Sequence, residues 1–193
     1  MLLPRQQTMQ NRPLYDTTPP LVREEEIGFG FDANLKTVDT MRDIAIARST
    51  HPQVREIALG LVHTLPSHAY LDEARAIGDF VQAHVRYVRD AAGMEQLHDP
   101  LLLLERIAKG QAQGDCDDMS LLIATLLLSI GGSPLFRVVK YKPAGMSYNH
   151  IYVVTYDKNA PRTKKQRLVL DAIVKDKPIG FEITHFEGKE IPV

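Results

Sequence analysis

The stretch from Leu121 to Ile130 constrains this chain most. Leu121, Leu122, Ile123, Leu126, Leu127, Leu128 and Ile130 make it apolar nearly all the way round. A helix with no polar stripe must be covered on most of its sides, so other elements have to pack around it. It is about half the length needed to cross a bilayer, and Gly131-Gly132-Ser133-Pro134 ends it. A core helix at the centre of a domain is therefore expected.

The periodicity on either side says what surrounds it. Ahead of it the pattern is helical. Val38, Met41, Ile44 and Ala45 recur at three- and four-residue steps, with Thr37 or Asp39 as N-cap. A second helix opens at His51-Pro52 with the stripe Val54, Ile57, Leu61 and Leu65. A third carries Leu71, Ala74, Ile77, Phe80, Val81 and Val85, and its tail, Val85 to Val88, alternates and turns extended. Asp99-Pro100 reads as N-cap and first residue of a short helix from Leu101 to Ile107, closed by Lys109-Gly110. After Pro134 the period changes to that of strands: Leu135 to Tyr141, His150 to Tyr156, Leu168 to Leu170 leading into Asp171, and Phe181 to Phe186. Helices followed by consecutive strands with short connections imply an α+β fold with an antiparallel sheet. Residues 1–36 differ. Pro4, Pro13, Pro19, Pro20, the acidic Glu24 to Glu26 and Gly28-Phe29-Gly30-Phe31 show no lasting period, so they read as an extended arm ahead of a domain spanning 37–193.

Charge narrows the partners. With 23 basic and 24 acidic residues the formal net charge is -1, which predicts no general affinity for nucleic acid or anionic membrane. The cluster Arg162, Lys164, Lys165 and Arg167 reads as a solvated turn. Met1-Leu2-Leu3 runs at once into Pro4-Arg5 without an apolar signal core, so a cytoplasmic site of synthesis is expected. A single cysteine cannot form an internal disulfide, and one Cys with scattered His residues makes no zinc pattern. Gly28-Phe29-Gly30-Phe31 lacks the flanking strand and helix of a nucleotide loop. His51, His63, His68, His84, His98 and His185 read as surface or cap residues.

That one cysteine is placed for chemistry. Cys116 lies in Gly114-Asp115-Cys116-Asp117-Asp118, where a glycine-containing loop meets the apolar helix. Helix-start N–H groups lack intrahelical partners and carry partial positive charge, which favours a thiolate. Three aspartates are not companions of a dry core thiol, and Gly114 permits close approach of a substrate backbone. A thiol nucleophile needs a base, and the base an orienting group. His150 opens one strand and Asp171 ends the next, so neighbouring antiparallel strands bring the two side chains within hydrogen-bond reach.

Gly114 to Asp118, Asn149-His150-Ile151-Tyr152-Val153 and Leu170-Asp171-Ala172 together resemble the three motif blocks of the transglutaminase-like superfamily. The chain is also similar to bacterial transglutaminase-like cysteine proteinases and to related proteins of phages and prophages, over about residues 70–175. The resemblance implies a papain-like fold, with Cys116 as nucleophile, His150 as general base and then acid, and Asp171 orienting the imidazole. Oxyanion donors would be the Cys116 N–H and a side chain from Gln113, Gln111 or Tyr87, taken in that order along the chain. No Trp is present, whereas the eukaryotic cross-linking enzymes use an indole there, so hydrolysis is expected over cross-linking. Related proteinases bind calcium beside the nucleophile. Asp115, Asp117 and Asp118 are the candidate ligands here, against a plain role in capping the helix; otherwise no cofactor is expected. Three functions follow: a cysteine peptidase or amidase acting on a protein or peptide through an acyl-enzyme, an amine-transferring transglutaminase, or a phage virion structural or assembly protein. In the last case the arm would wrap neighbouring phage structural proteins, and the protein would be virion-associated.

Overall fold

A computed structural model describes residues 22–26, 31–90, 94–141, 148–160 and 166–193. Its helices are α1 (Phe31–Ser49), α2 (Pro52–Val62), α3 (Tyr70–His84), α4 (Pro100–Ala108) and α5 (Cys116–Ser129). Strands β5 (Leu135–Lys140), β6 (His150–Tyr156), β7 (Arg167–Leu170) and β8 (Glu187–Pro192) form one antiparallel sheet in the order β7-β6-β5-β8. The class is α+β.

Helix α5 is the axis of the domain. The other four helices and β6 all pack on it, and every residue from Asp118 to Leu127 is buried, as an all-round apolar helix requires. Strand alternation divides the sheet into two faces. Ile151 and Val153 of β6 join the main core with α5, while Tyr152 and Val154 pack on the other face with Leu135, Val139 and Val169. The segment from Asp171 to Phe186 crosses to that second face. Glu182 there accepts from Tyr152 (2.6 Å) and from both terminal nitrogens of Arg167 (2.7 Å each). The Arg167 hydrogen bonds hold its carboxyl down at about 2.

Local signals account for most element ends. Pro52 and Pro100 start α2 and α4, and the His51 and Asp99 side chains accept from Gln53 N and Leu101 N. Lys109 caps α4, and Gly110 follows with φ +66°. Asp99 does more than cap. Its Oδ2 takes Nε (2.8 Å) and Nη2 (2.6 Å) of Arg48, a buried ion pair that ties α1 to the start of α4.

Two departures from the sequence reading stand out. Phe181 to Phe186 is not a strand. Phe181 and Phe186 are exposed, and the partner of β5 on that side is Glu187–Pro192, a charged, proline-ended edge whose composition hides it. Helix α1 opens at Phe31, so Thr37 and Asp39 lie inside it rather than capping it. Within the expected arm, which as an extended segment could lie on the domain or on a partner, β1 (Val22–Glu26) pairs antiparallel with β3 (Met94–His98). The prolines at positions 4, 13, 19 and 20 lie outside the described residues.

The buried residues of α1 are Val38, Met41, Ile44, Ala45 and Arg48 among those with described side chains. A truncated protein starting at Leu35 keeps all of them but loses β1 and the first turn of α1. It is expected to melt cooperatively at a midpoint lowered by roughly 5 °C, as loss of one or two kcal/mol does in a domain of this size. Calorimetry checks this; aggregation or loss of the cooperative transition would show that the strand is integral to the core.

Candidate active site

The loop before α5 is shaped by a short parallel pair, β2 (Arg86–Tyr87) with β4 (Gln113–Gly114). Arg86 N donates to Ala112 O (3.0 Å) and Val88 N to Gly114 O (2.9 Å). The chain therefore enters the helix at a fixed angle. Asp115 is the N-cap, and its side chain accepts from Asp117 N (3.1 Å) and Asp118 N (3.4 Å), while the Asp118 side chain takes Asp115 N (3.4 Å). This reciprocal box satisfies helix-start donors that would otherwise be orphaned. Cys116 is the first helical residue and is half-buried.

His150 opens β6 and is buried, as is Asp171 just beyond β7. Pairing of Val153 with Leu170 brings their ends together, and Nε2 of His150 lies 2.8 Å from Oδ2 of Asp171. The other Asp171 oxygen accepts from Ile173 N (3.4 Å). With Nε2 engaged, the second ring nitrogen, Nδ1, is the one left to exchange a proton with another group. Tyr141, one residue past β5, stacks on the imidazole at 5.8 Å between centroids and 20° between planes, and Tyr152 lies against it at 5.5 Å. Burial pushes the Tyr141 phenol up, and the negative charge of Asp171 pushes it further. The sequence reading missed Tyr141. Its only sequence signal was an aromatic at the end of a strand neighbouring the one His150 opens.

Cys116 behaves differently from the expectation of an acidified thiol. Its S–H donates to Oδ1 of Asp117 (3.3 Å). Burial, then the Asp117 and Asp115 charges, push the thiol well above its ordinary range, against an opposing hydrogen bond from the Ile151 backbone N–H. A thiol has one proton to donate. In this state it goes to Asp117, and two carboxylates outweigh the partial charge of the helix start.

The oxyanion candidates separate. Gln113 is exposed, and its Oε1 accepts from Arg86 Nη2 (2.6 Å). Gln111 is exposed in the turn after α4, where its N donates to Arg106 O (2.8 Å). Tyr87 pairs in register with Gly114, two residues from Cys116. Tyr87, placed last by sequence, is thus the candidate whose strand register lies nearest the thiol.

The acidic residues do not fit calcium. Ligand atoms of Asp115, Cys116 and Asp117 lie within 4.8 Å of one another, but sulfur is a soft donor and calcium asks for six to eight oxygens. The Asp115 carboxylate is occupied as the helix cap and Asp117 by the thiol. Asp118 is fully buried, with Oδ1 on His98 N (2.7 Å) and Oδ2 on His98 Nδ1 (2.6 Å). That pair also corrects the reading of His98 as a surface or cap residue: it is buried and holds a buried carboxylate.

No family model and no curated protein matches this chain. Among solved structures, a candidate cysteine protease of Cytophaga hutchinsonii is similar over 65% of this chain and 38% of its own, at 14% identity and TM-score 0.45. A candidate protease of Parabacteroides distasonis is similar over 77% of this chain and 31% of its own, at 13% identity and TM-score 0.47. This chain therefore spans about a third of the length of these two. Legionella pneumophila LapG is similar over 74% of this chain and 75% of its own, at 18% identity and TM-score 0.42. Among the described residues, no helix is long and apolar enough to cross a membrane.

If Asp117 holds the thiol neutral, Asp117→Asn removes a charge and keeps a hydrogen-bond acceptor. Alkylation of Cys116 by iodoacetamide at pH 7 should then accelerate on the order of tenfold, the change in thiolate fraction that one unit of thiol pKa produces. An unchanged rate would show that Asp117 does not set the protonation of the sulfur.

Proposed function

We propose that this chain is a thiol hydrolase that cleaves an amide bond of a protein or peptide through an acyl-enzyme on Cys116. The observation that carries the reading is the buried 2.8 Å contact of His150 Nε2 with Asp171 Oδ2, on a strand whose next residue, Ile151, gives its backbone N–H to the Cys116 sulfur. Asp171 orients the imidazole and stabilises its protonated form, leaving Nδ1 as the base. When the Cys116 side chain rotates away from Asp117, the S–H proton passes to Nδ1 and sulfur bonds to the amide carbon. The carbonyl oxygen becomes an oxyanion, for which the Cys116 N–H and the Tyr87 hydroxyl are the donors to test. On collapse the C–N bond breaks, and the imidazolium gives its proton to the leaving amine. Water, deprotonated by the same nitrogen, then adds to the thioester carbon; the C–S bond breaks and the imidazolium returns its proton to sulfur. The products are a carboxylic acid and the free thiol. A primary amine in place of water would give transamidation. Hydrolysis is the preferred reading because the chain has no Trp to serve as the cross-linking enzymes' donor.

One observation favours a second reading. The thiol rests neutral against Asp117, which also suits a structural or assembly protein, phage-borne or otherwise, that keeps the constellation without turnover.

The test is cleavage of a peptide library, with and without a primary amine, followed by mass spectrometry. Wild-type protein is expected to release hydrolysed products. Cys116→Ala should abolish turnover, and His150→Ala should lower it by about 10²–10⁴-fold, the usual worth of a positioned base, with folding retained in both. Turnover surviving Cys116→Ala would remove this mechanism, and a wild-type protein inert on every peptide would promote the structural reading.

A further inference from the structure

We propose that His98 is a positioning residue for the nucleophile's helix: from the end of β3 its ring and its backbone N–H grip Asp118 and so fix the backbone that carries Cys116. The inference rests on the reading above only in calling Cys116 a nucleophile. One carboxylate joins three pieces of chain. Its Oδ1 takes His98 N (2.7 Å), and its Oδ2 takes both His98 Nδ1 (2.6 Å) and Asp115 N (3.4 Å). Asp115 in turn accepts from Asp117 N and Asp118 N. Three amide donors at the helix start thus hang on a box whose outer corner is His98.

The surroundings leave this corner little freedom. Asp118 has no exposed surface. A Cβ on Gly114 would meet Asp118 Oδ2 at 2.6 Å and its Cβ at 2.7 Å, so the close approach that Gly114 allows is that of Asp118 rather than of a substrate. On the other side, His98 is followed directly by Asp99, which caps α4 and is clamped by Arg48. The grip therefore runs from a fixed point on α1 and α4 to the first turn of α5. A buried carboxylate without partners is costly, and Asp118 has its principal partner outside its own helix. The Asp118 hydrogen bond also raises the His98 pKa above its ordinary value, in keeping with a charge-assisted contact.

The chemistry suggests how to separate positioning from plain stability. Asn places an amide nitrogen where His places Nδ1, whereas Leu fills similar space with no donor. In the full-length protein, His98→Leu should raise amide hydrogen exchange at Asp115, Asp117 and Asp118 by about tenfold or more, with Ile123 and Leu126 staying within about twofold of wild type. Iodoacetamide alkylation of Cys116 should slow about tenfold, because the ordered helix-start N–H groups that favour the thiolate are lost. His98→Asn should restore both. If the Leu protein does not fold, Asn against Gln, whose amide sits one methylene further out, carries the same comparison. Exchange at the helix start that is unchanged in His98→Leu, or equally raised by Asn and Leu, or by Asn and Gln, would overturn the inference. Wild-type protein that cleaves no peptide would sink the hydrolase reading and leave the exchange result standing.

Discussion

A helix with no polar face has to end somewhere, and in this protein its N-terminal end carries the cysteine, Cys116. Burial of α5 from Asp118 onward forces its first turn to satisfy its backbone donors with side chains rather than water. The Asp115–Asp118 box does this, and it fills the helix start with negative charge. That charge steadies the helix, since carboxylates are favourable at the positive end. It also works against ionisation of the cysteine between them. Capping and nucleophile activation compete for the same few atoms, and at rest capping wins.

Three buried or nearly buried pairs share the task of holding the layers in place: Arg48 with Asp99, His98 with Asp118, and His150 with Asp171. Such pairs are poor sources of net stability, because desolvation offsets much of their attraction, but losing one partner leaves an expensive orphan. Their value here is geometric. The first fixes α1 against α4, the second fixes β3 against α5, and the third joins the end of β7 to the start of β6. The second holds the first turn of α5, two residues from Cys116, and the third holds the residue next to Ile151, whose N–H reaches the Cys116 sulfur. The apolar core sets which layers touch; these pairs set where their ends lie.

Much of this was legible from residues alone, and the exceptions have physical causes. Pro52, Pro100, Gly110 and Gly131 are local punctuation, so the starts of α2 and α4 and the ends of α4 and α5 could be read directly. His150 to Tyr156 was read to the residue because its β-branched and aromatic run is buried along nearly its whole length. The start of α1 at Phe31 was obscured by the glycines at 28 and 30. Strand β1, with its run of Glu24 to Glu26, has low strand propensity and owes its conformation to pairing with β3, far along the chain. Edge strand β8 was hidden by the charges that protect it. At the site, Cys116, His150 and Asp171 were each marked by position at an element end. Tyr141 and His98 were not, since stacking on an imidazole and gripping a buried carboxylate are tertiary facts. The direction of the Cys116 shift was also missed: the helix start was weighed, but not the burial of the sulfur or the two carboxylates beside it.

The central claim is that Cys116 forms an acyl-enzyme, and a trapped thioester tests it most directly. The protein is incubated with the peptide library, quenched in acid and digested, and the Cys116 peptide is weighed. The account predicts an acyl adduct on that cysteine that hydroxylamine removes and that does not form in His150→Ala. A Cys116 that carries no adduct with any peptide, and that alkylates only after the protein is unfolded, would contradict it.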